Sequence, residues 1–120
     1  MFDLRIQEFG FFGTFPHYQR KSSGMLHLLS VQFDKDGFER FVVELGVLPL
    51  GDFETSWGEV VAEDRLDVAY VGFESRFRLG TSEDRSDYWF VLTEANAEEI
   101  MCEVERFFRG DGEAFYRKKS

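Results

Sequence analysis

Cysteine, proline and histidine are scarce in this 120-residue chain, which has one, two and two of them. A lone Cys102 excludes an internal disulfide, and without a Cys-x-x-Cys pair or a Cys/His cluster nothing suggests a metal. The expectation is a cytoplasmic protein with no metal and no cofactor. No apolar run approaches the roughly 20 residues of a membrane span. The opening residues, Met1 to Arg5, lack the basic-then-apolar layout of a signal peptide. Basic residues are also few: 14 Lys and Arg stand against 23 Asp and Glu, a net charge of −9. That balance argues against a nucleic-acid partner, whose phosphates must be neutralised. Signatures of nucleophilic hydrolysis, phosphate binding, dinucleotide binding and zinc-dependent proteolysis are missing as well. No complete catalytic constellation can be read from the chain, and an enzyme is not the favoured expectation.

What the chain has in excess is phenylalanine. Fifteen Phe, 18% aromatics and 43% hydrophobic residues overall describe a chain able to build one continuous core. Each buried Phe contributes on the order of 1.5–3 kcal/mol. A single domain over residues 1–120 is expected.

Periodicity divides the chain into elements. Phe2, Ile6 and Phe9 follow helical spacing, with Gly10 placed as the stop. Residues 11–19 are aromatic and interrupted by Gly13 and Pro16, which suits an irregular or edge strand, and residues 21–24 read as a turn. Residues 25–33 and 38–47 form the clearest strand pair, joined by an Asp-Gly turn at 34–37. The first strand is apolar on both faces and should lie centrally. The second alternates an apolar face (Phe41, Val43, Leu45, Val47) with a mostly polar one (Arg40, Val42, Glu44, Gly46). Residues 52–65 are the hardest to assign, a loop or short helix anchored by Trp57, Val60 and Val61. β character resumes over residues 66–79. A polar turn spans residues 80–87, and residues 88–92, with Trp89 in the core, are the last strand. A helix over residues 94–109 is signalled by the stripe Ala97, Ile100, Met101, Val104, Phe107, Phe108. Thr93 is its expected cap and Gly110 its end; Phe115 and Tyr116 should then pack back onto the core. These elements predict an α+β fold. A mostly antiparallel sheet of about five strands carries a short N-terminal helix, with a C-terminal helix packed on one face.

Charge is uneven along the chain. Residues 1–51 carry six acids and five bases, net −1; residues 52–120 carry seventeen and nine, net −8. Asp52, Glu54, Glu59, Glu63, Asp64 and Asp67 share one short stretch with a single base, Arg65. With Glu98 and Glu99 of the last helix they are the candidate surface for a basic protein partner. The plainer reading is that they form solvated, solubilising faces. Arg76 and Arg78 project from one side of a strand and are candidates to hold an anionic ligand, together with His27. The alternative is that they pair across the sheet with Glu44 or with helix glutamates. His17 and His27 lack a local partner for general-base chemistry, and Cys102 falls among acids that would not lower its pKa. A homodimer through a sheet face or an edge strand fits either reading.

Several short landmarks recur in one order: Gly10-Phe11, Phe15 to Arg20, Gln32-Phe33, Phe41 to Val47, Arg76 to Gly80, and Trp89-Phe90. Over about residues 6–92 this order resembles the bacterial family of domain of unknown function 4304. The resemblance implies an α+β domain with an N-terminal helix, here shortened, and an antiparallel sheet. The acidic stretch 52–67 stands outside the shared pattern. The family brings no established catalytic residues, so no role carries over to a position of this chain. Function therefore rests on the residues themselves. The favoured expectation is a non-enzymatic binding module of inhibitor or immunity type that masks a basic partner. The alternative is a small-molecule or anion-binding domain with a pocket near Arg76 and Arg78.

Overall fold

The computed structural model describes residues 2–22, 24–34, 40–80, 89–91, 93 and 95–119. Helix α1 (Phe2–Gln7) stops where expected: the amides of Phe9 and Gly10 bond back to Ile6 and Gln7, and Gly10 takes a positive φ. Residues 11–19 are not one strand. Phe15 and Pro16, joined by a cis bond, divide them into edge strand β1 (Phe12–Thr14), with Gly13 at its middle, and strand β2 (His17–Ser22). β2 continues through Lys21 and Ser22, where the sequence predicts a turn.

The long antiparallel pair β3 (Met25–Phe33) and β4 (Arg40–Pro49) is the centre of the sheet. The Asp-Gly turn lies outside the described residues except for Asp34, whose amide donates to Arg40 O. Strands β5 (Phe53–Glu54) and β6 (Val60–Val61) form a separate hairpin. Only Val61 of the three expected anchors is buried there; Trp57 and Val60 face solvent. Strands β7 (Arg76–Arg78) and β8 (Phe90–Val91) both pair with β4, at different points along its edge. The main sheet therefore has six strands in the order β1-β2-β3-β4-β7, with β8 also on β4. Trp89 is half-buried rather than core, and Arg40 lies over its ring at 4.5 Å. The polar turn after Gly80 lies outside the described residues.

Two sequence expectations fail on one face of this sheet, for physical reasons. Residues 66–75 are not a strand: they form short 3₁₀ turns at Val68–Tyr70 and Phe73–Ser75, following another at Glu63–Arg65. Asp67 accepts a hydrogen bond from the Ala69 amide and so caps the second turn, and local capping wins over the β preference of Val68, Tyr70 and Val71. The polar face of β4 is not solvated either. Val61, Leu66, Val68 and Val71 pack over Leu26, Leu28 and Leu48, so both faces of β4 are buried from Phe41 to Leu48. Gly46 makes this possible. A Cβ there would sit 2.8 Å from a Val71 methyl, and a strand glycine commonly marks such a close approach.

The other face carries the main core. Ile6, Phe11, Leu29, Val31, Val43, Leu45, Phe90, Val104, Phe108 and Tyr116 are buried together. Helix α2 (Ala97–Phe107) covers it with the expected stripe, starting three residues later than predicted. Thr93 is not its cap. Asn96 holds that position, and its side chain accepts from the Thr93 amide and donates to Val91 O. Nor does Gly110 end the helix. A π-helical turn (Phe108–Gly112) carries the chain into helix α3 (Glu113–Lys119), which places Tyr116 in the core. Glu105 of α2 is buried and accepts a hydrogen bond from Arg5 at 2.6 Å.

Gly46→Ala should lower stability by about 2 kcal/mol through overpacking against Val71. Urea unfolding would measure it, and adding Val71→Ala should recover part of the loss. An unchanged midpoint for Gly46→Ala would contradict the close approach.

Candidate functional site

Strand register does what sequence proximity cannot. His17 stands opposite Ser30, Ser30 opposite Glu44, and Glu44 opposite Arg78. These four residues form a polar row across β2, β3, β4 and β7, on the face covered by residues 61–71. Because side chains alternate along a strand, Arg76 shares that face two residues away. Glu44 is only 6% exposed. Arg76 Nη1 lies 3.1 Å from one of its oxygens and Arg78 Nε 3.3 Å from the other. Arg76 also donates to Val71 O at 2.6 Å and Ala69 O at 3.2 Å. The same guanidinium thus fastens both the central carboxylate and the 3₁₀ segment that roofs it.

At the other end of the row, His17 Nδ1 lies 2.8 Å from Ser30 Oγ, and His17 Nε2 lies 3.9 Å from Asp67 Oδ2. A cleft of about 520 Å³ opens here. Ser30 and Glu44 line it, with His17, Asp67 and Arg76 at its polar rim and Phe15 at one side; Phe33 reaches its edge, but its ring packs on Phe41 on the other face of the sheet. The order Ser30, His17, Asp67 suggests nucleophile, base and orienting acid, but the geometry does not support acyl transfer. The His17–Asp67 separation exceeds a hydrogen bond. The amide after Ser30, that of Val31, is already donated to Pro16 O at 2.9 Å, so it offers no oxyanion stabilisation.

His27 is elsewhere. It projects from the opposite face of β3, where its ring stacks on Tyr116 at 4.2 Å. Its Nδ1 accepts from Arg20, whose Nε and Nη2 lie 3.2 and 3.0 Å away. It lines a separate cavity of about 540 Å³ with Arg20, Glu113, Tyr116 and Arg117. Burial, reinforced by the Arg20 charge, lowers its pKa to about 4, with Glu113 opposing. The same burial pushes the Tyr116 hydroxyl well above its usual pKa; it donates to Leu28 O at 2.6 Å.

The eight candidate carboxylates fall into two groups on opposite sides of the sheet. Asp52, Glu54, Glu59, Glu63, Asp64 and Asp67 belong to the segment over the polar row, whereas Glu98 and Glu99 are on α2. Several have internal partners. Glu63 pairs with Lys21 at 2.7 Å and accepts from the Gly51 amide, and both hold its pKa below the usual carboxylate range. Asp52 accepts from the Glu63 amide, Asp67 caps its turn, and Glu98 pairs with Arg5. Glu54, Glu59 and Asp64 point outward around the β5–β6 hairpin.

His17, Ser30 and Glu44 were not read as one site from the sequence. The available signal was two polar residues, Ser30 and Glu44, within otherwise apolar strands. Among the described residues, no three His, Cys, Asp or Glu side chains gather as a metal site would require. Nor is any helix among them long and apolar enough to cross a membrane.

The architecture is thus an α+β domain, an antiparallel sheet with helices on one face and an irregular, partly polar cover on the other. The chain belongs to the domain of unknown function family DUF4304, whose model matches residues 5–118. The match extends beyond the landmarks read from sequence, through the acidic segment and into α3. No curated protein and no solved structure matches the chain.

Two outcomes follow from these buried groups. Glu44→Gln leaves two partly buried guanidiniums without their counter-charge and should cost about 2 kcal/mol in denaturant unfolding; no loss would mean the pairing is energetically idle. His27 has a folded pKa of about 4 against an ordinary 6.5, so the unfolded chain binds its proton more readily. Its contribution is complete above pH 6.5 and is lost as pH falls from there through 4, by about 3 kcal/mol. In a His27→Gln chain that part of the pH dependence should vanish; an identical profile would assign it to other groups.

Proposed function

We propose that this protein is a non-enzymatic binding module of inhibitor or immunity type, which masks a basic protein surface with the β5–β6 hairpin. The observation that carries the reading is Trp57, 71% exposed at the hairpin tip among outward-pointing carboxylates. The hairpin is amphipathic by register: Phe53 and Val61 form one cross-strand pair and Glu54 and Val60 the next. Phe53 and Val61 pack into the sheet cover, whereas Val60 is 65% exposed beside Glu54. Trp57 Nε1 donates to Glu59 Oε2 at 3.1 Å, which holds the indole against the hairpin. An indole held in place loses little freedom on binding, and tryptophan is enriched among the residues that dominate interface energy. The surrounding acids would speed encounter with a basic partner and select against acidic ones.

The alternative, an anion held by Arg76 and Arg78, receives less support. An anionic ligand would compete with Glu44 for both guanidiniums, and among the described residues Arg76 and Arg78 are the cations paired with that buried carboxylate.

Affinity capture from cells that express the protein tests the reading. Wild-type bait should retain a basic protein that a Trp57→Ala/Glu54→Lys/Glu59→Lys bait does not. The isolated pair should weaken steeply as salt rises, and Trp57 fluorescence should shift to shorter wavelength on binding. Capture that is insensitive to both the triple substitution and salt would refute the hairpin as the interface.

A further inference from the structure

The chemistry of the hairpin tip names the group that a partner would place on it, an inference that rests on the hairpin being the interface. We propose that the tip receives an arginine side chain of the partner, stacked on Trp57 and paired with Glu59.

The tip is built to hold the indole still. The Thr55 amide donates to Glu59 O at 2.8 Å and the Gly58 amide to Thr55 O at 3.0 Å, with Gly58 at positive φ. This is a three-residue hairpin loop closed by a glycine. Thr55 is 5% exposed, and its hydroxyl accepts from the Glu59 amide at 3.0 Å. Glu59 Oε2 in turn accepts the indole N–H. That N–H is the only donor of the side chain, so what Trp57 still offers is its exposed ring. With it come the carboxylates of Glu59 and Glu54, neither of them ion-paired among the described residues. A ring face and carboxylate oxygens are all electron-rich, and they complement a cation that donates hydrogen bonds.

The rest of the fold indicates which cation. Arg40 lies 4.5 Å over the Trp89 ring, and its Nε is 2.5 Å from Asp34. Arg20 lies 4.7 Å over Phe11 and pairs with Glu113 at 2.6 Å. Arg109 lies 5.4 Å over Phe9 and 3.7 Å from Glu105. In each case one planar guanidinium covers a ring and meets a carboxylate, which the point charge of a lysine ammonium does less well. Trp57 and Glu59 present the same two groups at the surface, with no arginine over the ring among the described residues. An arginine from the partner completes the arrangement.

The probes are blocked Gly-X-Gly-X-Gly peptides in which X is arginine, lysine or citrulline. Citrulline keeps the planar shape of arginine without its charge. Each would be titrated into the full ¹⁵N-labelled chain at physiological ionic strength. The arginine peptide should shift the Trp57 indole N–H and the amides of residues 54–60; the lysine peptide should shift them less, and citrulline not at all. Trp57→Leu should weaken binding of the arginine peptide about threefold, the worth of one exposed cation–π contact. Glu59→Gln, whose amide oxygen still accepts the indole N–H, should weaken it by a similar factor. Glu99→Gln, on the opposite side of the sheet, should not. Silence from the arginine peptide, shifts confined to other surfaces, an equal response to lysine or citrulline, or unchanged affinity in Trp57→Leu would overturn the proposal. The two readings fail separately: a partner captured through the hairpin while the arginine peptide leaves residues 54–60 unmoved would remove the arginine and keep the interface.

Discussion

One guanidinium ties the fold together. Arg20 of β2 donates to Phe9 O at 2.9 Å and so closes the chain after α1. It pairs with Glu113 of α3 at 2.6 Å and donates to His27 of β3. Its plane lies over Phe11 and Tyr116, 4.7 and 5.1 Å from their centroids. Arginine suits this place because its donors fan out in one plane while its faces pack on rings. The arrangement dictates what surrounds it. His27 must present a lone pair to Arg20, so it must be neutral, and protonation would set two cations against each other in a buried site. Glu113 must reach the same spot from α3, which requires α3 to follow α2 with a changed rotation. The π turn supplies that change, and Gly112 lets it pack: a Cβ there would meet Phe108 at 3.0 Å and Leu79 at 3.3 Å.

The two faces of the sheet consequently differ in kind. The helical face is filled with interlocking aromatic rings around Arg20, including Phe9 with Phe108 and Phe90 with Phe107. Its buried polar groups serve that packing, and its cavity is lined by side chains already committed to one another. The other face is covered by a segment with little regular structure of its own. That cover is held by apolar contacts at one end and by Arg76 bonds to Val71 and Ala69 at the other. It seals the β3–β4 surface only as far as Val68. Beyond that point the His17 end of the polar row reaches solvent, while Ser30 and Glu44 stay buried.

How much of this was legible depended on whether the controlling contact was local. The β3–β4 pair and the α2 stripe follow from periodicity over a few residues, and both appear nearly where expected. The pairing of Arg76 and Arg78 with Glu44 was also foreseeable, since strand alternation puts both arginines on one side. The 3₁₀ turns after Asp67 were missed because the spacing of Val68, Tyr70 and Val71 suits a strand equally well, and only the cap decides. Gly110 was misread as a stop because the force continuing the helix is remote: Tyr116 packing on His27 and Glu113 reaching Arg20. The cleft was hidden for the same reason. His17, Ser30, Glu44 and Asp67 are brought together by register and by the path of residues 61–71, neither of which is written in any short window.

The fold also changes how the acidity should be weighed. Glu44, Glu105, Glu113, Asp34 and Glu63 each face a cation within the molecule. They are counter-ions of the architecture and add little to the field a partner would meet. Solubility alone could explain the remaining outward carboxylates, but it does not explain why some of them surround an exposed indole and an exposed valine. A solubilising surface would place polar side chains at both positions, because exposed apolar area is what acidity of that kind offsets. The coincidence of Trp57 and Val60 with Glu54 and Glu59 on one two-stranded hairpin therefore carries information that the net charge of −9 does not. That arrangement, apolar at its centre and charged at its edge, is what the proposed interface rests on.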